Sequence, residues 1–129
     1  MNGLQVSLFD VHTPGHPTRL ARVVRTHTPS ETPIDPHAFL YWPATGTAVV
    51  PIDSWDPSQS GAALVLHVGH DGLRVSGTIR NPALSTVGSY DTGIERTLIL
   101  GNDIWTMSSS GLQASDLHTL AKQAWVAFQ

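Results

Sequence analysis

Cysteine is absent from the chain. That removes thiol nucleophiles, disulfides and thiolate-held zinc together. Charge is scarce as well. Asp, Glu, Lys and Arg make up 13% of the 129 residues, against about 25% in ordinary globular proteins. Seven Lys and Arg oppose ten Asp and Glu, for a formal net charge of −3. The arginines (Arg19, Arg22, Arg25, Arg74, Arg80 and Arg96) are spread rather than striped. No track for phosphates forms, and nucleic acid is not an expected partner. No apolar run reaches the roughly 18 residues of a membrane-spanning helix, so no span is expected. The first nine residues alternate and lack a positive start, so they do not read as a signal peptide. An export signal, if the parent protein is exported, is expected upstream. There is no Gly-x-Ser-x-Gly elbow and no P-loop, and no catalytic residue is assigned.

What is present is alternation. Apolar residues are 40% of the chain, enough for a packed core and against disorder. They recur with a period of two in ten short runs: 4–11, 19–26, 37–42, 47–52, 62–68, 73–80, 94–100, 103–107, 111–117 and 122–128. That is the period of half-buried strands. Turn chemistry separates them. Thr13-Pro14-Gly15-His16-Pro17, Ala44-Thr45-Gly46, His70-Asp71-Gly72, Gly101-Asn102-Asp103 and Ser108-Ser109-Ser110-Gly111 read as tight connections. One helix candidate exists, at 114–125, with Leu117, Leu120, Ala121 and Ala124 as its apolar stripe. The repeat sets it aside.

Gly3-Leu4-Gln5-Val6-Ser7 recurs as Gly111-Leu112-Gln113-Ala114-Ser115, and Gly61-Ala62-Ala63-Leu64-Val65 opens another alternating strand between them. The three glycines stand 58 and then 50 positions apart. Four strands in about 50 residues is the size of a propeller blade. The expected fold is therefore all-β: a partial β-propeller of about two and a half four-stranded antiparallel blades. Residues 1–27 form a half blade, 36–80 a full blade and 94–128 another, all in one domain.

These residues also carry a resemblance. The step Val6-Ser7-Leu8-Phe9-Asp10-Val11 followed by Pro14 and Pro17, the stretches His37-Ala38-Phe39-Leu40-Tyr41-Trp42 and Ala48-Val49-Val50-Pro51-Ile52, and the runs at 94–101 and 104–108 resemble the C-terminal part of the secreted bacterial and archaeal β-propeller-domain family. That family is distantly similar to WD-repeat proteins. The resemblance covers nearly the whole chain. It implies an extracellular or cell-surface protein and no settled activity. Where the family reads Asp-His, this chain has Asp35-Pro36-His37, so no role of that pair is carried over.

Asp35 and His37 are two apart, so on a strand they share a face, with Pro36 fixing the backbone between them. Trp42 and Trp55 offer flat apolar surfaces for a ligand such as a sugar. These four are the candidate binding residues. Seven histidines include the spacings His12/His16 and His67/His70, but residues three apart on a strand face opposite sides. Asp53 and Asp56 are too sparse for a calcium loop. Neither a metal nor a cofactor is expected. Glu31, Glu95 and the aspartates offer carboxylates for a glycosidase pair; Glu95 beside Arg96 reads rather as one end of an ion pair.

A propeller removes its sheet edges by closing into a ring, and ten strands are too few to close one. The expected partners are upstream propeller blades or copies of the chain itself. The leading functional expectation is a non-enzymatic extracellular binding or scaffold module forming the C-terminal end of a β-propeller. A hydrolase with its site on the loops of one face, and a short ring-forming self-associating protein, are the alternatives.

Overall fold

The computed structural model describes residues 3–26, 39–52, 61–82 and 93–128. They form ten strands: β1 Gly3–Asp10, β2 Thr18–Thr26, β3 Leu40–Trp42, β4 Thr47–Ile52, β5 Ala62–Gly69, β6 Gly72–Arg80, β7 Ile94–Leu100, β8 Asp103–Ser108, β9 Gly111–Asp116 and β10 Lys122–Ala127. No helix occurs among the described residues. The segment read as a possible helix is the end of β9, a turn, and β10. The strands make three antiparallel sheets, β1-β2, β3-β4-β5-β6 and β7-β8-β9-β10. Each is a simple meander, as expected of a partial propeller.

Turn residues set the hairpins. Leu100 pairs with Asp103 across Gly101-Asn102, and Gly101 has φ +60°, the left-handed first position of a type II′ turn. At the β3–β4 turn, Gly46 has φ +64° and accepts from Val68 N at 2.7 Å. A Cβ there would run into the Val68 carbonyl. Pro51 stands in β4 beyond the last β3 pair, Leu40 with Val49, where a missing N–H breaks no bond toward β3.

Two cores hold the sheets face to face. Ala48, Val50, Leu64 and Leu66 of the middle sheet meet Leu4, Val6 and Val23 of the N-terminal hairpin. On its other face, Val49, Ala63, Val65 and Ile79 meet Ile94, Ile99, Ile104 and Leu117. The middle sheet is thus covered on both sides. This is why β4 and β5 are buried almost throughout and read as near-continuous apolar runs. Strands with one covered face, β7 and β8, alternate instead.

The β9–β10 turn plugs the second core. Leu117 is buried in it and Leu120 packs against it. Leu120 is held at φ +63°, a conformation that costs a β-carbon-bearing residue about 1–2 kcal/mol. Its Cδ1 lies 2.7 Å from where a Cβ on Gly77 would be, so the bare glycine of β6 is its seat.

Candidate functional site

Of the four residues singled out in the sequence, Asp35, His37 and Trp55 lie outside the described residues. Trp42 ends β3, pairs with Thr47 and is 37% exposed. It shares a strand face with Leu40, which packs on the second core. The hydrolase reading rested on Asp35 and His37 and gains no observation here.

The described histidines do not converge. No group of three or more His, Asp or Glu fit to hold a metal occurs among the described residues. His12 N donates to Asp10 Oδ1 at 2.8 Å and His16 N to Thr13 O at 2.9 Å, both turn bonds. His67 lies in β5, its ring over Gly46 and Gly69, with Cε1 and Nε2 3.3 and 3.4 Å from the positions where a Cβ on each would sit. His118 belongs to the β9–β10 turn. Arg96 Nη1 donates to the backbone carbonyl of Glu95 at 2.7 Å.

The densest polar constellation lies between the middle and C-terminal sheets. Thr106 Oγ1 donates to Asn81 Oδ1 at 2.6 Å, and Asn81 Nδ2 donates to Thr106 O at 3.0 Å and Ser108 Oγ at 3.3 Å. Ser108 Oγ and Ser110 Oγ are 2.8 Å apart, and Ser110 Oγ donates to Pro82 O at 2.9 Å. The directions follow: Ser110 spends its proton on Pro82, so Ser108 donates to Ser110 and accepts from Asn81. Gln113 Nε2 donates to Arg80 O at 2.9 Å and to Ser115 Oγ at 3.4 Å. Thr97 Oγ1 and Gln113 Oε1 are buried without a hydrogen-bond partner among the described residues.

Thr106, Ser108, Ser110 and Gln113 tie the C-terminal sheet to Arg80, Asn81 and Pro82 at the end of the middle one. Among the described residues, the hydroxyls of this set bond to one another, to Asn81 and to the Pro82 carbonyl. The constellation is an inter-sheet clamp. The sequence reading missed it because Thr106, Ser108, Gln113 and Ser115 stand at alternate positions, where a polar residue normally marks the wet face.

The clamp has a consequence for the opposite face. Since Thr97, Thr106 and Gln113 pair across β7, β8 and β9 on the inner side, the intervening residues point outward. Leu98, Trp105 and Ala114 form one outward row; Met107, Leu112 and Val126 form another. Leu98, Leu100 and Val126 are 42%, 62% and 55% exposed.

Asp116 closes the turn beside this face. Its Oδ1 accepts from His118 N at 2.8 Å and Thr119 N at 2.7 Å, and Oδ2 accepts from Asn102 Nδ2 at 3.4 Å. The backbone donors of Thr119 and His118 hold its carboxyl below the ordinary aspartate range.

No curated protein and no solved structure matches the chain. A family model described as the Beta propeller domain matches residues 1–120. With three face-packed antiparallel meanders and a match over nearly its full length, the chain belongs to the Beta propeller domain family.

Proposed function

We propose that the chain is a non-enzymatic, extracellular scaffold module, an arc at the C-terminal end of a β-propeller whose work is to hold and be held by other sheets. The three sheets are read as a half blade and two full blades of one domain. The observation that carries the reading is the outward face of the C-terminal sheet. Its polar row is turned inward into a clamp and its apolar row outward, with Leu98, Leu100 and Val126 exposed. A contiguous apolar face of this kind marks a contact surface, and a neighbouring sheet is what the same chain lays on every other such face. The extracellular setting is supported by the family resemblance.

Light scattering of the chain against concentration tests this. Association is expected, and Leu98→Lys with Val126→Lys is expected to abolish it while leaving the chain folded. A chain that stays monomeric at every concentration would overturn the reading.

A further inference from the structure

The hydrogen-bond register makes β1, β5 and β9 equivalent. Gly3 pairs with Thr26, Ala62 with Arg80, and Gly111 with Ala127. The next residue closes the ladder in the same way in two of them: Asn81 N donates to Gly61 O at 2.8 Å, and Phe128 N to Ser110 O at 3.0 Å. Arg80 and Ala127 are therefore equivalent positions, and so are Gln113 and Gln5, each two residues after the strand's first pair.

Gln113 reaches backward from the C-terminal sheet and donates to Arg80 O of the sheet before it. Its neighbour in the clamp is Ser115. Gln5 carries the same internal bond, donating from Nε2 to Ser7 Oγ at 3.0 Å. Leu4 and Val6 beside it pack on the middle sheet, so by alternation Gln5 and Ser7 face outward. Gln5 is exposed. The N-terminal hairpin thus displays on its outer face a second copy of the glutamine–serine pair that fastens two sheets inside the molecule.

What such a pair fastens is an apolar sheet face whose outer strand ends on a carbonyl at the Arg80 position. The C-terminal sheet has both features: exposed Leu98, Leu100 and Val126, and the carbonyl of Ala127. Opposite charges also stand on the two faces, with Arg96, beside Met107, a further charge on the presenting one. Arg19 and Arg22 pair with Phe9 and Ser7 on the receiving face, while Asp103 and Asp116 pair with each other on the presenting face. We infer that the outer face of the N-terminal hairpin docks the C-terminal sheet of a second copy of this chain, with Gln5 Nε2 donating to Ala127 O of that copy.

The inference rests on the reading above, that the outer faces are covered by other sheets. The two faces differ, so the contact is head-to-tail, and copies add until the rotation closes a ring. The hairpin has two strands and the presented sheet four, so part of that face stays uncovered and the association is weak.

Light scattering across concentration is expected to show a mean mass that rises above the monomer. Gln5→Ala is expected to weaken association about tenfold, the effect of one lost hydrogen bond at an interface, with no change in the unfolding midpoint. The absence of cysteine permits a direct placement. Val24→Cys and Val126→Cys chains, each with one thiol, are treated with a bismaleimide. Cross-linked pairs are expected in the mixture and not in either variant alone. Val126→Cys cross-linking to itself, with association indifferent to Gln5→Ala, would mean that two C-terminal faces meet; the inference then falls and the scaffold reading stands. A chain monomeric throughout, unmoved by Leu98→Lys, would overturn both.

Discussion

The middle and C-terminal sheets share one meander order, yet the C-terminal sheet buries a row of polar residues beside its Ile94, Ile99 and Ile104. The middle sheet turns apolar side chains to both sides: Ala48, Val50, Leu64 and Leu66 one way, Val49, Ala63, Val65 and Ile79 the other. The C-terminal sheet turns Thr97, Thr106, Ser108, Gln113 and Ser115 inward, all buried, and leaves leucines outside. A sheet in the middle of a stack needs only area, because burial of apolar surface is non-directional. A sheet at the end of a stack that is fastened by directed bonds gains a fixed angle and position. The comparison teaches that polar and apolar residues here are sorted by which neighbour they address, rather than by inside and outside of the described chain.

The largest expected effect separates the two sheets by truncation. Leu64→Ala removes a fully buried side chain in the middle sheet and should cost about 3–4 kcal/mol. Leu98→Ala, on the outward face of the C-terminal sheet, should stay within about 0.5 kcal/mol. Urea unfolding of dilute, unassociated samples measures both. Equal losses would mean that Leu98 is as deeply packed as Leu64, and the contrast would break.

A second contrast lies in the turns. Gly46→Ala meets both a positive φ and the Val68 carbonyl, and should cost about 3 kcal/mol. Gly101 has the same kind of φ, but nothing lies within 4 Å of a Cβ placed on it, so Gly101→Ala should cost about 1 kcal/mol. Thermal unfolding of the pair sharpens the point that the middle sheet tolerates less added volume.

The clamp comes next. Thr106→Val keeps shape and removes the donor to Asn81 Oδ1, leaving a buried acceptor unpaired. About 2 kcal/mol should be lost. Thr106→Ser keeps the hydroxyl and should lose less than half of that. If valine and serine behave alike, the loss is one of packing and the clamp is not a set of directed bonds.

How much of this was legible in the sequence follows from the same contrast. The strands were legible because period two survives whichever face is buried: all ten expected runs correspond to strands, most within a residue or two at each end. The third run is expected from 37; β3 is described from Leu40, and positions 37 and 38 lie outside the described residues. The candidate site was far less legible. Alternation at 104–108 and 112–116 shows two faces but not which of them is covered, and Trp105 and Met107 look like core beside Thr106 and Ser108. Choosing between them needs the Asn81 and Arg80 partners, which stand 25 to 33 positions away and carry no local signal. Trp42 offered only its residue type, and its half-exposed place on β3 adds no second polar group to it.

The smallest expected effect contrasts the outer hairpins of the two sheets by pH. The β5–β6 hairpin turns on Gly72, at φ +125°, and needs no charge. The β9–β10 turn is closed by the Asp116 carboxylate, which accepts from the backbone of His118 and Thr119. Those donors hold its pKa below the ordinary aspartate value, so the folded chain binds this proton less readily than the unfolded one. Its contribution is therefore complete above the unfolded pKa, about 3.9, and is lost as pH falls through the lower folded value. Asp116→Asn retains an oxygen acceptor without the charge and should flatten that acid limb while changing stability little at neutral pH. Amide exchange followed from neutral pH to below 4 should show His118 and Thr119 losing protection in the native chain before the amides of the β5–β6 hairpin do. Loss of both turns together would show that the carboxylate is not what closes the β9–β10 turn.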